Sequence, residues 1–111
     1  MVDVPAMKLV MVIVDPGPNH PTETETYNYL HDCFKSRFES WWHHLPNVFM
    51  VRSALTSDEV LDWLNRVWPV PTTSHTRGPR TACVTSSVLV VDVTDRPFAG
   101  RYLDWTWLRS A

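Results

Sequence analysis

The stretch SWWHHLPNVFMVRS, residues 40–53, places two adjacent histidines beside two tryptophans and a Pro-Asn pair. Imidazole side chains bind transition metals and transfer protons near neutral pH. On a β-strand, however, adjacent side chains point to opposite faces, so His43 and His44 cannot bind one metal ion together. His31 lies on a predicted helix without a ligand-type residue four positions away. The histidine spacing therefore predicts no zinc site, and it identifies no partner for general acid-base catalysis.

Nucleophilic catalysis also lacks a recognisable motif in this chain. Ser86-Ser87 and Cys33 are not part of a G-x-S-x-G turn, and three glycines cannot form a phosphate-binding loop. Cys33 and Cys83 are fifty residues apart, which matches neither a metal-binding nor a redox spacing. We therefore expect free, reduced thiols and no bound cofactor.

The composition indicates a single soluble domain spanning residues 1–111. Ten Lys and Arg against twelve Asp and Glu give a net charge of -2, which argues against binding nucleic acid by neutralising its phosphates. The first apolar run, residues 9–14, is too short for a signal-peptide core or a membrane span. The sequence thus predicts a cytoplasmic protein without a membrane partner.

Strand and helix patterns alternate along the chain. Residues 7–14 are apolar on both faces of a predicted strand, and residues 24–41 carry an apolar stripe at helical spacing. A loop at 15–25 connects them. The remaining predicted elements are, in order, a hairpin with strands 41–45 and 48–54 around Pro46-Asn47, a helix from the Thr56–Glu59 capping box, a loop at 69–81, a strand at 84–93 and a C-terminal segment at 97–111.

The element order strand, helix, strand, strand, helix, strand is that of the ferredoxin-like βαββαβ fold. We therefore predict an α+β domain with a four-stranded antiparallel sheet, two helices on one face and a core at about residues 7–93. The first and third strands are expected to be central and parallel to each other. Because the first strand is apolar on both faces, we expect a homodimer formed through the sheet face that the helices leave bare.

The six tryptophans are unusual for a chain of this length. Trp41, Trp63 and Trp68 fall near predicted helical stripes and are expected in the core. Since tryptophan is enriched at protein interfaces, the surplus tryptophans are assigned to partner binding. The basic loop RGPR, residues 77–80, has two interpretations: a solvated loop, or a contact for an acidic partner or a nucleic-acid end. The predicted partner-binding residues are Trp42, His44, Arg77, Arg80, Trp105 and Trp107.

Four segments of the chain carry a family resemblance over most of residues 7–108. They are YNYLHDCFKS, SWWHHLPNVFMVRSALTSDEVLDWL, VLVVDVT and the terminal LDWTWL. These segments resemble the SinR-like family of small proteins, and the loops at 15–25 and 69–81 depart from it. The resemblance implies a ferredoxin-like dimer, similar in fold to the small CRISPR-adaptation subunit and to VapD-type toxins, some of which are metal-dependent nucleases.

In the nuclease relatives, an aspartate that ends the first strand helps to hold a divalent ion between two protomers. Asp15 stands at that position, which makes it the alternative catalytic and metal-binding residue, with Mg²⁺ as the alternative cofactor. Asp92 is expected at the opposite edge of the sheet, and Arg52 at the same end as Asp15. We therefore expect Asp15 to cap a loop or to form an ion pair with Arg52.

These observations favour a non-enzymatic homodimer that binds a protein partner. SinR-like proteins are typical of bacteria, phages and mobile elements, so the resemblance implies a phage or mobile-element modulator of a host or defence protein. A divalent-metal-dependent endonuclease or toxin is the first alternative, and a nucleic-acid-binding module is the second.

Overall fold

Six regular elements make up the described part of the chain. The computed structural model describes residues 7–17, 23–70, 80–82 and 86–94, except for the side chains of Glu23 and His44. The predicted C-terminal segment lies outside these ranges. The elements follow in the predicted order and are β1 (Lys8–Asp15), α1 (Glu23–Arg37), β2 (Ser40–Leu45), β3 (Val48–Ser53), α2 (Ser57–Val67) and β4 (Ser87–Asp92).

The four strands form one antiparallel sheet in the order β2-β3-β1-β4. β1 and β3 are central, as predicted, but they are antiparallel, since Leu9 pairs with Arg52 and Ile13 pairs with Val48. The prediction that these strands are parallel is therefore wrong. The α1 crossover returns β2 parallel to β1, and the two-residue hairpin turn then reverses β3. This α+β arrangement is compatible with a ferredoxin-like fold.

β1 contributes to a separate hydrophobic cluster on each face of the sheet. Val10, Val12 and Val14 are fully buried between the sheet and the helices. Leu9 belongs to the second cluster on the opposite face, and Met11 packs against that cluster. A strand with one solvated face would alternate apolar with polar residues, so this pattern favours a strand that is covered on both sides.

α1 packs on the sheet through Leu30, Phe34 and Phe38. Phe38 follows the end of the helix, and its N–H donates to the Phe34 carbonyl at 3.0 Å. The predicted stripe extends to Trp41, but the helix ends at Arg37 and Trp41 belongs to β2. Trp41 nevertheless packs against the same cluster from the sheet side.

α2 begins at the capping box that the sequence predicts. The Thr56 hydroxyl accepts from the Glu59 N–H at 3.2 Å, and the Glu59 carboxylate accepts from the Thr56 N–H at 3.1 Å. These bonds satisfy donors that the first helical turn leaves unpaired. Val60, Trp63 and Leu64 form the buried face of α2 and pack in the same cluster as α1. Both helices therefore cover the same side of the sheet, as predicted.

Candidate functional site

β2 carries an extra residue at its two histidines. Trp42 pairs with Met50 and Leu45 pairs with Val48, so two residues of β2 lie opposite one residue of β3. This β-bulge interrupts the strict alternation of side chains that the sequence prediction assumed. His43 lies on the helix side of the sheet, where it contacts α1.

His43 is held by neighbours from α1, β3 and the hairpin turn. Its Nδ1 lies 2.9 Å from Nδ1 of His31, and its Nε2 lies 2.9 Å from the carbonyl oxygen of Pro46. Its ring stacks on Phe49, with the ring centroids 3.8 Å apart and the planes inclined by 19°. His31 in turn meets the ring of Trp41 edge to face, with centroids 4.7 Å apart. The histidine pair thus joins α1 to the end of the β2–β3 hairpin.

The hydrogen-bond partners determine the tautomer of each imidazole in the neutral pair. A carbonyl oxygen only accepts, so Nε2 of His43 carries hydrogen and donates to Pro46. Nδ1 of a neutral His43 is then an acceptor, and Nδ1 of His31 donates to it. Burial lowers the pKa of His43, the Pro46 hydrogen bond partly offsets this, and charge on His31 lowers the pKa further. His43 is therefore neutral at pH 7.

The histidine pair is poorly suited to catalysis or metal binding. Both ring nitrogens of His43 are engaged, one by His31 and one by Pro46, so neither is available to a substrate. Within the described ranges, no group of three or more His, Cys, Asp or Glu side chains is placed to hold a metal ion. The sequence does not bring His31 and His43 together, because no spacing rule relates a helix face to the bulge of the following strand.

A groove of about 500 Å³ opens between α1 and α2. Tyr29, Cys33 and Ser36 line it from α1, and Trp63 lines it from α2. Arg80, one of the predicted partner-binding residues, is exposed and also lines this groove. Asp32 and Arg37 also line it, so the groove offers a phenol, a thiol, a hydroxyl, a carboxyl group and two guanidinium groups around an aromatic ring.

Tyr29 and Cys33, two of the titratable groups that line the groove, hold their protons at neutral pH. The Tyr29 hydroxyl donates to the Val67 carbonyl at 2.5 Å, and burial, with smaller effects of Cys33, raises the pKa of Tyr29 to about 12. Burial also raises the pKa of the Cys33 thiol. The Tyr29 hydrogen bond opposes this second shift, Asp32 adds to it, and Arg80 opposes it. Because a protonated thiol is a weak nucleophile, the groove favours binding over covalent catalysis.

Asp15 closes the turn that follows β1. Its Oδ1 accepts from the Gly17 N–H at 3.0 Å, and Gly17 adopts a φ of 98°, which glycine tolerates. This confirms the predicted loop-capping role. Arg52, however, pairs near the start of β1, at the opposite end from Asp15, so the predicted ion pair between them is wrong. Asp92 also pairs near the start of β1 and is therefore distant from Asp15, as predicted.

The sheet face opposite the helices carries the second hydrophobic cluster. Leu9, Trp42 and Met50 are its buried members. Trp42 lies on the face where alternation placed it, but it is only 8% exposed and does not project into solvent. Leu89, opposite Ile13 in the β1–β4 ladder, is 56% exposed and is the most exposed large apolar side chain of the described strands.

The other predicted partner-binding residues fall outside the described part of the structure. His44 belongs to β2, but its side chain is not described. Arg77, Trp105 and Trp107 lie in the undescribed ranges. Their roles stay predictions from the sequence.

Neither homology nor membrane topology assigns a function to this chain. No protein-family model, curated protein or solved structure matches it. Across the described ranges, no helix is long and apolar enough to cross a membrane. Function must therefore be inferred from the residues and their contacts.

Proposed function

We propose that this protein is a non-enzymatic homodimer that binds a protein partner, and that its two copies meet through the sheet face opposite the helices. The observation that carries this proposal is the composition of that face. All four strands contribute apolar residues to it, as follows from the strand register and the alternation of side chains. These residues are Leu9, Met11, Ile13, Trp42, Val48, Met50, Leu89 and Val91.

Polar residues lie at the two ends of the same face. Arg52 is opposite Leu9 at one end, and Asp15 is opposite Ser87 at the other. An apolar centre with a polar rim is the usual anatomy of a protein interface. Leu9, Trp42 and Met50 are already buried within the single chain, and Leu89 is the member of this face that is most accessible to a second copy.

A second copy of the chain is the occupant that fits this face. In a two-fold dimer the same patch meets itself, so one apolar face supplies both halves of the contact. Two sheets with apolar faces pack in this way at a spacing of about 10 Å. The ferredoxin-like fold and the resemblance to SinR-like proteins support the same oligomer. The resemblance also extends the proposal to a phage or mobile-element modulator of a host or defence protein.

The state of the titratable groups supports binding rather than catalysis. Cys33 is a protonated thiol in a groove, and His43 has both nitrogens engaged. Asp15 uses one oxygen to cap its turn. The groove lined by Arg80 is a surface for the partner that remains accessible when the opposite sheet face is covered.

Substitution of an exposed apolar residue tests the dimer without disturbing the core. Leu89→Glu places a charge on the most exposed apolar residue of the proposed contact face. Val70→Glu is the matched control, because Val70 is 57% exposed and follows α2 rather than lying on the sheet. We expect light scattering to give a dimer mass for the wild type and Val70→Glu, and a monomer mass for Leu89→Glu. A wild-type monomer at high concentration would contradict the proposal.

The two alternative functions predict activities that a protein-binding dimer lacks. A nuclease would degrade RNA or DNA in the presence of Mg²⁺ and would lose this activity on Asp15→Ala. A nucleic-acid-binding module would retain oligonucleotides in a salt-sensitive manner and would lose them on joint substitution of Arg77 and Arg80. Either result would replace the binding proposal with that alternative.

A further inference from the structure

The contact between His31 and His43 depends on the number of protons that the two rings carry. It joins α1 to the hairpin at a point where the bulge already interrupts the β2–β3 ladder. We propose that His31 and His43 form a proton-operated latch, which holds the hairpin against α1 at neutral pH and releases it in acid. This inference does not depend on the proposed dimer.

The hydrogen bond between His31 and His43 is lost only after both rings have taken up a proton. In the neutral pair, His31 donates from Nδ1 and His43 accepts at Nδ1. One added proton makes one ring cationic, yet the Nδ1 atom of the other ring can still accept. Two added protons place hydrogen on both Nδ1 atoms, which lie 2.9 Å apart, so no acceptor is left between the rings. The hydrogen bond is then replaced by repulsion between two cations.

Among the described residues, the groups in contact with His43 carry no negative charge that would neutralise a second positive charge. Phe49 covers one face of its ring, and the turn offers only the Pro46 carbonyl, which already accepts from Nε2. Trp41 meets His31 through an uncharged ring. The titratable residues nearest in the sequence are Tyr27, Asp32 and Lys35 on α1, of which Asp32 lines the helix groove, and His44 on β2.

Release of this contact would act on an edge strand. Among the described strands, β2 pairs only with β3, and the bulge lies between its two paired segments. α1 and the three remaining strands keep their own packing in the core, so acid should open the hairpin end without unfolding the domain. The latch thus couples local opening of β2 to pH.

The tautomers can be measured directly in the wild-type protein. Long-range proton–nitrogen spectra of histidine-labelled protein at pH 7.5 should show His43 protonated at Nε2 and His31 protonated at Nδ1. His43 protonated at Nδ1 alone would overturn the proposal, because that tautomer cannot accept from His31. This readout requires no substitution.

Hydrogen exchange tests the release itself. We expect the protection factors of β2 and turn amides to fall about tenfold between pH 7.5 and pH 5, which is the effect of one pKa unit of differential proton binding. His31→Asn retains a donor at the δ position but cannot become charged, and it should abolish most of this fall. His43→Gln retains a donor towards Pro46 and should do the same.

His75→Gln is the control, because it removes a histidine that is not part of the pair. It should leave the pH dependence of the wild type unchanged. Equal pH dependence in His31→Asn, His43→Gln and the wild type would overturn the latch, as would a wild type without any pH dependence in these amides.

Discussion

Trp41 and Trp42 are adjacent in the sequence but pack in two different hydrophobic clusters, on opposite faces of the sheet. Trp41 is partly buried against the core between the sheet and the helices. Trp42 packs with Leu9 and Met50 on the other face. The two residues therefore make it possible to separate the contribution of the core from that of the proposed interface.

We expect Trp42→Ala to lower the free energy of unfolding by about 3–5 kcal/mol, the usual cost of removing a buried tryptophan side chain. It should also raise the dissociation constant of the dimer at least about tenfold, because loss of the packing against Leu9 and Met50 disturbs the proposed contact face. Trp41→Ala should cost less stability, because the side chain is partly exposed, and should leave the dimer intact. Urea denaturation and sedimentation measure the two effects. Dissociation by Trp41→Ala alone would contradict the assignment of faces.

The capping box of α2 gives a prediction about local stability. Thr56→Ala removes the hydroxyl that accepts from the Glu59 N–H, and we expect a loss of about 1 kcal/mol. Asn65→Ala, at an exposed position within the same helix, should change stability by less than about 0.5 kcal/mol. Urea denaturation of both variants provides the comparison. Equal effects would show that the box does not set the start of α2.

The raised pKa of Tyr29 leads us to expect that the folded protein loses stability at alkaline pH. Its pKa is about 12 in the folded protein against 10.0 for an ordinary tyrosine, so the folded state keeps its proton where the unfolded state loses it. The stabilisation is therefore complete below pH 10 and is lost as pH rises towards 12. Tyr29→Phe should remove this pH dependence, whereas Tyr27→Phe should retain it. Ultraviolet titration of the phenols and denaturation at several pH values test both statements.

Two substitutions of Asp15 distinguish a structural from a catalytic role. Asp15→Asn retains an oxygen that can accept from the Gly17 N–H, but it removes the charge that a divalent ion requires. Asp15→Ala removes both and should cost about 0.5–1.5 kcal/mol of stability. We expect no Mg²⁺-dependent cleavage of RNA or DNA by the wild type, and unchanged stability for Asp15→Asn. Cleavage that both variants abolish would exclude the non-enzymatic proposal.

Local signals in the sequence were sufficient for the hairpin and for the start of α2. Pro46-Asn47 marks a two-residue turn, and Thr56 with Glu59 forms the capping box at the predicted place. Both features depend on residues within four positions of each other, and such short-range chemistry can be recognised without a three-dimensional structure.

Long-range geometry was harder to predict, and the errors have specific causes. The pairing of Asp15 with Arg52 assumed parallel central strands, although a crossover followed by a hairpin makes β1 and β3 antiparallel. The contact of His31 with His43 depends on a bulge and on how α1 crosses the sheet. Periodicity specifies which face a residue occupies, but not which residue of another element lies across from it.

The bulge in β2 has a consequence for solubility. A regular edge strand presents a row of free N–H and C=O groups that can recruit a strand from another molecule. β2 lies at one edge of the described sheet; there this row is broken at His43 and His44, and the turn at Pro46 follows directly. An incoming strand could not stay in register along such an edge, so the irregular hairpin disfavours open-ended growth of the sheet into aggregates.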